Sequence, residues 1–382
     1  MRRKTIKYVG FYGLTHSESQ RVASVAALNK MNYISTAMNK AGYDIQIISP
    51  SWMSDSTQIN FEKQNKVKIN DQTSVVFCPS WKTKSKITRS LKIVFSLLWL
   101  AFFLLINAKK NEKILAYHVP WLSIPIRIAK YFRKFELVLE VEEIYQDVMK
   151  QPPLFIDWEN RLLDCGDYYI FSTDLLKARI NNRKPYLTVN GVYSIEEQLN
   201  HPADDGKIHL LYSGIIDSNK KGAYNAIEAS RHLPVKYHLH ILGFGQSKEI
   251  DKLQKMIEEF NQENDCKISY DGLLTGEDYI RYAQACHIGL STQTMEGNYL
   301  ETSFPSKILS YLSLGLRVVS CYIEGVSTSK VGDLVTYYYQ NAPTEIAKAI
   351  CSIDIHTVNH SRERLIELDR QFIKSIKALL EE

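Results

Sequence analysis

The chain is poor in residues that make covalent or metallic cross-links. Its six cysteines, Cys78, Cys165, Cys266, Cys286, Cys321 and Cys351, are scattered, with no Cys-x-x-Cys pair and no Cys/His cluster at zinc spacing. That pattern argues against a disulfide scaffold and fits reduced thiols in a cytosolic protein. A long apolar signal region is also missing. Met1-Arg2-Arg3-Lys4 runs into a short strand pattern at Ile6–Gly10, so no secretion signal is expected. No internal repeat or low-complexity tract is visible. Charge of one sign is not in large excess. The net charge of +5 and pI near 8.6 are too mild to point to nucleic acid.

What is present is the material of a folded α/β protein. The chain has 382 residues, 45% hydrophobic and 23% charged. That is enough for two cores and a soft expectation of two or three domains. Tyrosine is abundant, at 23 residues. Such side chains line sugar and base clefts, and also serve as core edges.

The first half opens with a strand at Lys7–Phe11, a loop through Gly13, a helix over Ser24–Lys40 and a strand at Ile45–Ser49. A strand feeding a glycine loop and a helix predicts a parallel, doubly wound sheet. Further strands are expected at Ile114–Tyr117, Leu137–Val141, Asp167–Ser172 and Tyr186–Val189. His118 follows the first of these and Glu142 and Glu143 the second. In such sheets ligands bind beyond the carboxyl ends of strands, so these residues are placed to meet one. Each also has a plain structural reading, His118 in the core and the glutamates capping a helix.

The segment 82–113 is unusual. Lys82, Lys84, Lys86, Arg89 and Lys92 precede an apolar run, Ile93–Ile106, and Lys109, Lys110 and Lys113 follow it. Such a run would span only about 21 Å as helix, short of a bilayer core of roughly 30 Å. Two readings stand: a buried helix with basic flanks, or an interfacial anchor for an anionic cytoplasmic leaflet.

Tyr193–Lys207 is polar and reads as the linker. Strands and helices then alternate. A strand at Ile208–Tyr212 leads to a turn at Ser213-Gly214, and Lys220-Lys221-Gly222 precedes a helix at Ala223–Arg231. A strand at His238–Leu242 ends in Gly243-Phe244-Gly245, whose glycines permit close backbone approach to a ligand. Further strands are expected at Ile268–Gly272 and Ile288–Ser291, with helices at Lys248–Asn261 and Gly276–Ala285. In Leu300–Ser320, Ser303 suits an N-cap and Pro305 a first turn. Ile308, Leu309, Tyr311, Leu312 and Leu314 form a buried stripe, and Gly315 stops the helix. Ser306 and Lys307 at that helix start combine free N–H groups with a full positive charge, which suits an anion such as a diphosphate. A last helix is expected at Ser361–Leu380.

Six motifs now occur in order: Tyr212-Ser213-Gly214-Ile215, Lys221-Gly222, Leu242-Gly243-Phe244-Gly245, Tyr270-Asp271-Gly272-Leu273, Tyr282-Ala283-Gln284-Ala285-Cys286, and Phe304-Pro305-Ser306-Lys307 running to Gly315. Together they resemble the donor domain of GT-B glycosyltransferases, in particular glycosyltransferase family 4 (glycosyl transferases group 1). The first half fits more loosely, through its opening unit, Ala41-Gly42-Tyr43-Asp44 and His118.

The resemblance implies two Rossmann-like domains facing across a cleft: an acceptor-side domain over 1–195, a nucleotide-sugar domain over 207–355, and a C-terminal segment, 356–382, crossing back. It implies Lys221 on the donor diphosphate, aided by Lys307 and Ser306, with Gly214, Gly243 and Gly245 near the donor. Leu273 and Leu274 would lie by the base, and His118 and Glu301 by the transferred sugar. Gly13, Glu142 and Glu143 fall on the acceptor side. Two departures stand out. Ile215 occupies a position often held by arginine, and Ser310 replaces the second glutamate of the Glu-x7-Glu pattern. The first glutamate of that pattern aligns with Thr302, one residue past Glu301.

The chain has no Asp-x-Asp motif, so no metal or other cofactor is expected. The expected function is transfer of a sugar, with retained configuration, from a nucleotide-sugar to a growing, lipid-linked cell-surface glycan. The enzyme would sit in the cytoplasm, peripheral at the inner face of the plasma membrane. The alternatives are a non-catalytic GT-B partner of another transferase and a nucleotide-sugar epimerase.

Overall fold

The computed structural model describes residues 3–14, 20–148, 150–180, 183–219, 221–295 and 303–382. The chain packs as two units, residues 1–190 with 370–382, and residues 191–369.

The first unit contains β1 (Thr5–Val9), α1 (Val25–Lys40), β2 (Asp44–Ser49), β3 (Phe61–Glu62), β4 (Asn65–Lys68), β5 (Thr73–Phe77) and β6 (Ser80–Trp81). There follow α2 (Lys86–Asn107), β7 (Lys113–Tyr117), α3 (Ser123–Arg133), β8 (Glu136–Val141), α4 (Tyr145–Val148), α5 (Pro153–Cys165), β9 (Tyr168–Phe171), α6 (Leu175–Ile180) and β10 (Tyr186–Thr188). Its main sheet has the order β10-β9-β8-β7-β1-β2-β5-β4 and is parallel except for β4 on β5. Strands such as β8, Glu-Leu-Val-Leu-Glu-Val, are buried on both faces, as helix-covered parallel strands must be. Strand order reverses between β1 and β7, so the crevice beyond their carboxyl ends is where this topology binds ligands.

Helix α2 differs from the expected short apolar run. It has 22 residues, about 33 Å, and the Ser85 hydroxyl caps its start. By length and apolar composition it could cross a membrane. Its orientation points elsewhere, because Lys92, Ser96, Leu100, Ala101 and Leu104 are buried against the unit. Leu91, Phe95, Leu98, Phe102 and Ile106, spaced three or four apart, are exposed. The helix is therefore apolar on two edges: Leu100, Ala101 and Leu104 pack inward beside Lys92 and Ser96, and a second apolar stripe faces outward. Two of the expected surface cations are buried. Lys92 donates to Met53 O at 2.8 Å and pairs with Asp55, and Lys113, in β7, donates to Leu379 O at 2.7 Å. Arg89 is exposed and pairs with the Asp55 carboxylate at 2.5 Å.

The second unit contains β11 (Ile208–Ile216), α7 (Gly222–Ser230), β12 (Tyr237–Gly245), α8 (Ser247–Glu263), β13 (Lys267–Tyr270), α9 (Gly276–Gln284), β14 (Ile288–Ser291), α10 (Ser306–Ser313), β15 (Arg317–Cys321), α11 (Glu324–Ser327), β16 (Val335–Tyr338) and α12 (Pro343–Cys351). The sheet is parallel, in the order β13-β12-β11-β14-β15-β16. That is the dinucleotide-type 3-2-1-4-5-6 order, with its switch between β11 and β14.

Three local expectations are corrected. Gly214 is not in a turn. β11 and β12 continue in register through Gly214–Gly243 to Ile216–Gly245. Ser303 does not cap α10; Pro305 is the residue before its first turn, with no side-chain cap. The polar run 193–207 is not a free linker, because it belongs to the second unit. The buried Gln284 amide holds it, accepting from Leu199 N and Asn200 N and donating to Glu197 O. Gly315 does stop α10, at φ +86°, with Leu316 N donating to Tyr311 O at 3.0 Å. Helix α13 (Ser361–Glu381) begins in the second unit, and its residues from Arg370 onward pack with the first.

Candidate functional site

In the second unit the carboxyl ends of three adjacent strands repeat one pattern, a glycine followed by an exposed apolar residue: Gly214-Ile215, Gly243-Phe244 and Gly272-Leu273. Gly243 N donates to Gly272 O at 2.7 Å. A Cβ on Gly243 would fall on the Gly214 carbonyl, and one on Gly245 on the Ile216 carbonyl. These two glycines therefore serve strand-to-strand packing, a role their sequence pattern did not reveal. Leu273 is exposed and Leu274 half-buried.

Gly214 has a different neighbour. A Cβ there would strike the Lys307 ammonium. Lys307 is in the first turn of α10, and Tyr311, one turn later on the same face, accepts from Ser213 N at 2.8 Å. That bond docks α10 on β11 and brings Lys307 Nζ over the Tyr212 ring, 3.8 Å from its centroid. The edge of the same ring touches the start of α7, since a Cβ on Gly222 would overlap it. Lys221, just before α7, is exposed and takes φ +55°, a left-handed conformation uncommon for a non-glycine residue. Thr292, beyond β14, bonds Gly222 O at 2.7 Å, and Asn225 bonds Thr292 O at 2.9 Å. Tyr212 thus meets both Lys307, in the first turn of α10, and the start of α7, which Lys221 precedes, at the β11/β14 switch. Two cations and two helix N-termini there suit a bound anion. Ser306 and Ser310 are exposed on α10. Glu301, with Thr302 and Lys220, lies outside the described residues.

In the first unit the expected residues also collect at strand ends. Gly13 is buried in the loop after β1, where Tyr12 exchanges hydrogen bonds with Ser49. His118 follows β7 and is only 1% exposed. Its Nε2 is 3.6 Å from Glu159 Oε1, and neither ring nitrogen has a hydrogen-bond partner among the described residues. Burial holds its pKa down, to about 4. Glu159 accepts from Tyr145 N at 2.6 Å and Gln146 N at 3.1 Å, ordering the turn after Glu142 and Glu143. Glu142 pairs with Lys30 at 3.0 Å, and Lys30 donates to Val189 O at 2.7 Å. Glu143 is half-buried.

Glu140, hidden in the apolar run of β8, was not singled out from the sequence. It is fully buried and accepts from Tyr8 OH. Burial first, and Glu142 second, push its pKa up to about 8. A charged residue inside a strand buried on both faces was the available signal.

No protein-family model matches the chain, and no curated protein matches it by sequence. Solved structures do. The chain is similar to sucrose-phosphate synthase of Thermosynechococcus elongatus, at TM-score 0.70 and 13% identity over 99% of this chain and 98% of that one. It is similar to an E. coli trehalose-6-phosphate protein bound with UDP-2-fluoro glucose, at TM-score 0.67 and 10% identity over 99% of both chains. It is similar to a UDP-forming α,α-trehalose-phosphate synthase of Burkholderia xenovorans in complex with glucose-6-phosphate, at TM-score 0.63 and 12% identity over 99% of this chain and all of that one. At such identities the likeness shows the fold: this chain has the GT-B architecture of two doubly wound α/β units.

Proposed function

We propose that the protein is a retaining, metal-independent glycosyltransferase, related to glycosyltransferase family 4, that takes its sugar from a nucleotide-sugar. The observation that carries this reading is Tyr212, which holds Lys307 over its ring and touches the start of α7 just after Lys221, so that two helix N-termini meet there. As the glycosidic bond breaks, charge grows on the departing diphosphate. Fixed cations and N–H dipoles there stabilise the transition state more than the ground state. Leu273, Phe244 and Ile215 supply an exposed apolar edge for the base. UDP-glucose is the first donor to test, since one structural neighbour holds a fluorinated analogue of it.

The acceptor is a growing lipid-linked glycan in the cytoplasmic leaflet. The outward apolar edge of α2, together with Tyr131 and Phe132 on α3, supports an interfacial position. Lys84, Lys86, Lys109 and Lys110, at the two ends of α2, are exposed and complement anionic headgroups. A sugar phosphate, as found in the Burkholderia neighbour, is the competing acceptor.

The test is a thermal-shift screen against UDP, GDP, dTDP, CMP and their sugar conjugates, followed by product analysis with lipid-linked and phosphorylated acceptors. A ligand that binds only the folded state raises Tm. A shift with one nucleotide-sugar, and its turnover, supports the transferase. Binding without turnover, or no shift at all, moves the reading to a non-catalytic partner. A sugar nucleotide of altered configuration would identify an epimerase.

A further inference from the structure

One face of the second unit's sheet carries three imidazoles. His209 of β11 is in register with His238 of β12, and His240 lies two residues further on. Strand pleating puts all three on the same face. The rings stack, with centroids 4.1 Å apart for His238 and His240 and 5.0 Å for His209 and His240. One nitrogen from each lies within 4.8 Å of the others.

The surrounding bonds constrain which nitrogens carry protons. His209 Nε2 is 3.1 Å from Asp205 Oδ1, and a carboxylate only accepts, so Nε2 is the donor. Ser269 and Tyr282 each donate their one hydroxyl hydrogen to Asp271 Oδ2, at 2.8 and 2.7 Å. Both hydroxyls also approach His240 Nδ1, at 3.0 and 2.7 Å. With both hydroxyl hydrogens on Asp271, Nδ1 is the donor of His240, and lone pairs on His209 Nδ1 and His240 Nε2 face each other at 2.7 Å. In that arrangement a cation between the two rings satisfies both; a single N–H between them is the metal-free arrangement.

We propose that His209, His238 and His240 bind a divalent transition ion of the zinc class. Imidazole nitrogen is a favoured ligand for such ions, at about 2.0–2.1 Å. Opening the pair by less than about 1 Å would reach the spacing of tetrahedral ligands. The carboxylate behind His209, and the hydroxyls and Asp271 behind His240, are the outer partners that orient metal-binding imidazoles. All three rings are half-buried, which leaves a path from solvent. The ion would clamp β11 to β12 towards their amino-terminal halves, apart from the glycine-ended tips. Its role is structural, and it is independent of the transferase reading and of its lack of a catalytic metal.

The test uses the full-length protein without a polyhistidine tag, stripped with chelator and titrated with Zn2+ and with Co2+. Expected are about one bound equivalent, a rise in Tm with Zn2+, and a visible Co2+ absorption band of nitrogen-ligand coordination. His238 meets its neighbours here through stacked rings, so His238→Gln should keep its far-UV circular dichroism and lose affinity at least about tenfold. His287→Gln is the control. That side chain accepts from His209 N at 3.1 Å, a bond glutamine can replace, and it lies outside the trio. Only trace binding by the folded parent would overturn the proposal, as would equal affinity in parent and His238→Gln.

Discussion

Lys307 and Tyr212 form the contact around which the second unit's strand ends are arranged: the ammonium lies 3.8 Å from the ring centroid, above Gly214. An ammonium held over an aromatic face keeps its charge while one side is taken out of water. The same tyrosine touches the start of α7 at Gly222, the residue after Lys221. If these cations stabilise a departing diphosphate, each removal should act mainly in the transition state. Lys221→Ala and Lys307→Ala are each expected to lower kcat/KM about tenfold to a thousandfold, with kcat carrying most of the loss. Steady-state kinetics with the donor found in the thermal-shift screen checks this. Unchanged kcat in either variant removes that lysine from the chemistry.

The membrane reading divides the basic residues of 82–113 into two groups. Lys84, Lys86, Lys109 and Lys110 are exposed, whereas Lys92 is buried on Asp55 and Met53, Lys113 is buried on Leu379 O, Arg89 is tied to Asp55 and Lys82 to Thr57 O. Changing the four exposed lysines to Gln should release the protein from anionic vesicles at moderate salt and leave Tm close to that of the parent. Lys92→Ala should do the reverse. It leaves Asp55 short of a partner and opens a cavity, costing about 2–4 kcal/mol of stability with vesicle binding retained in the folded fraction. Co-sedimentation and thermal unfolding separate the two. A fourfold variant that still sediments with vesicles would rule out those charges as the anchor.

Glu140 and His118 set opposite pH dependences in the first unit. Glu140 has its folded pKa raised from 4.5 to about 8, so its contribution is fully present below 4.5 and is lost as pH rises through 8. His118 has its folded pKa lowered from 6.5 to about 4, so its contribution is present above 6.5 and is lost as pH falls through 4. Between about pH 6.5 and 8 only Glu140 of the pair titrates. Over that interval the Tm of the parent should fall with rising pH more steeply than that of Glu140→Gln. Parallel curves would show that Glu140 ionises in the folded state as easily as in the unfolded one.

Much of this architecture is legible in the sequence where the signal is local. Gly315 ends α10 because only a residue at ease with φ +86° fits after Leu314, and the stripe Ile308, Leu309, Tyr311, Leu312 is buried as its spacing predicts. Features that depend on a distant partner are not legible. Lys92 reads as a surface cation until Asp55, 37 residues away, is seen beside it. Gly214 reads as a turn because nothing nearby shows that Gly243 continues the ladder opposite it. The His-x-His at 238 and 240 hints at two rings on one strand face, but the third, His209, joins them only through the register of β11 on β12.

That register also yields the sharpest stability test. Gly243 has φ +144° and lies opposite Gly214, whose carbonyl occupies the place a Cβ would take. Backbone on a central strand cannot move aside without breaking the pairing of Ile215 with Phe244 and Ile216 with Gly245. Gly243→Ala is therefore expected to destabilise the second unit by at least about 1–3 kcal/mol, through conformational strain and the clash together. Gly272→Ala, two residues past the end of β13, meets nothing within 4 Å, and its cost should be limited to that of φ +72°. Denaturant titration of the two variants against the parent orders them. Equal loss in both would mean that backbone conformation alone, and not the closeness of β11, requires glycine at position 243.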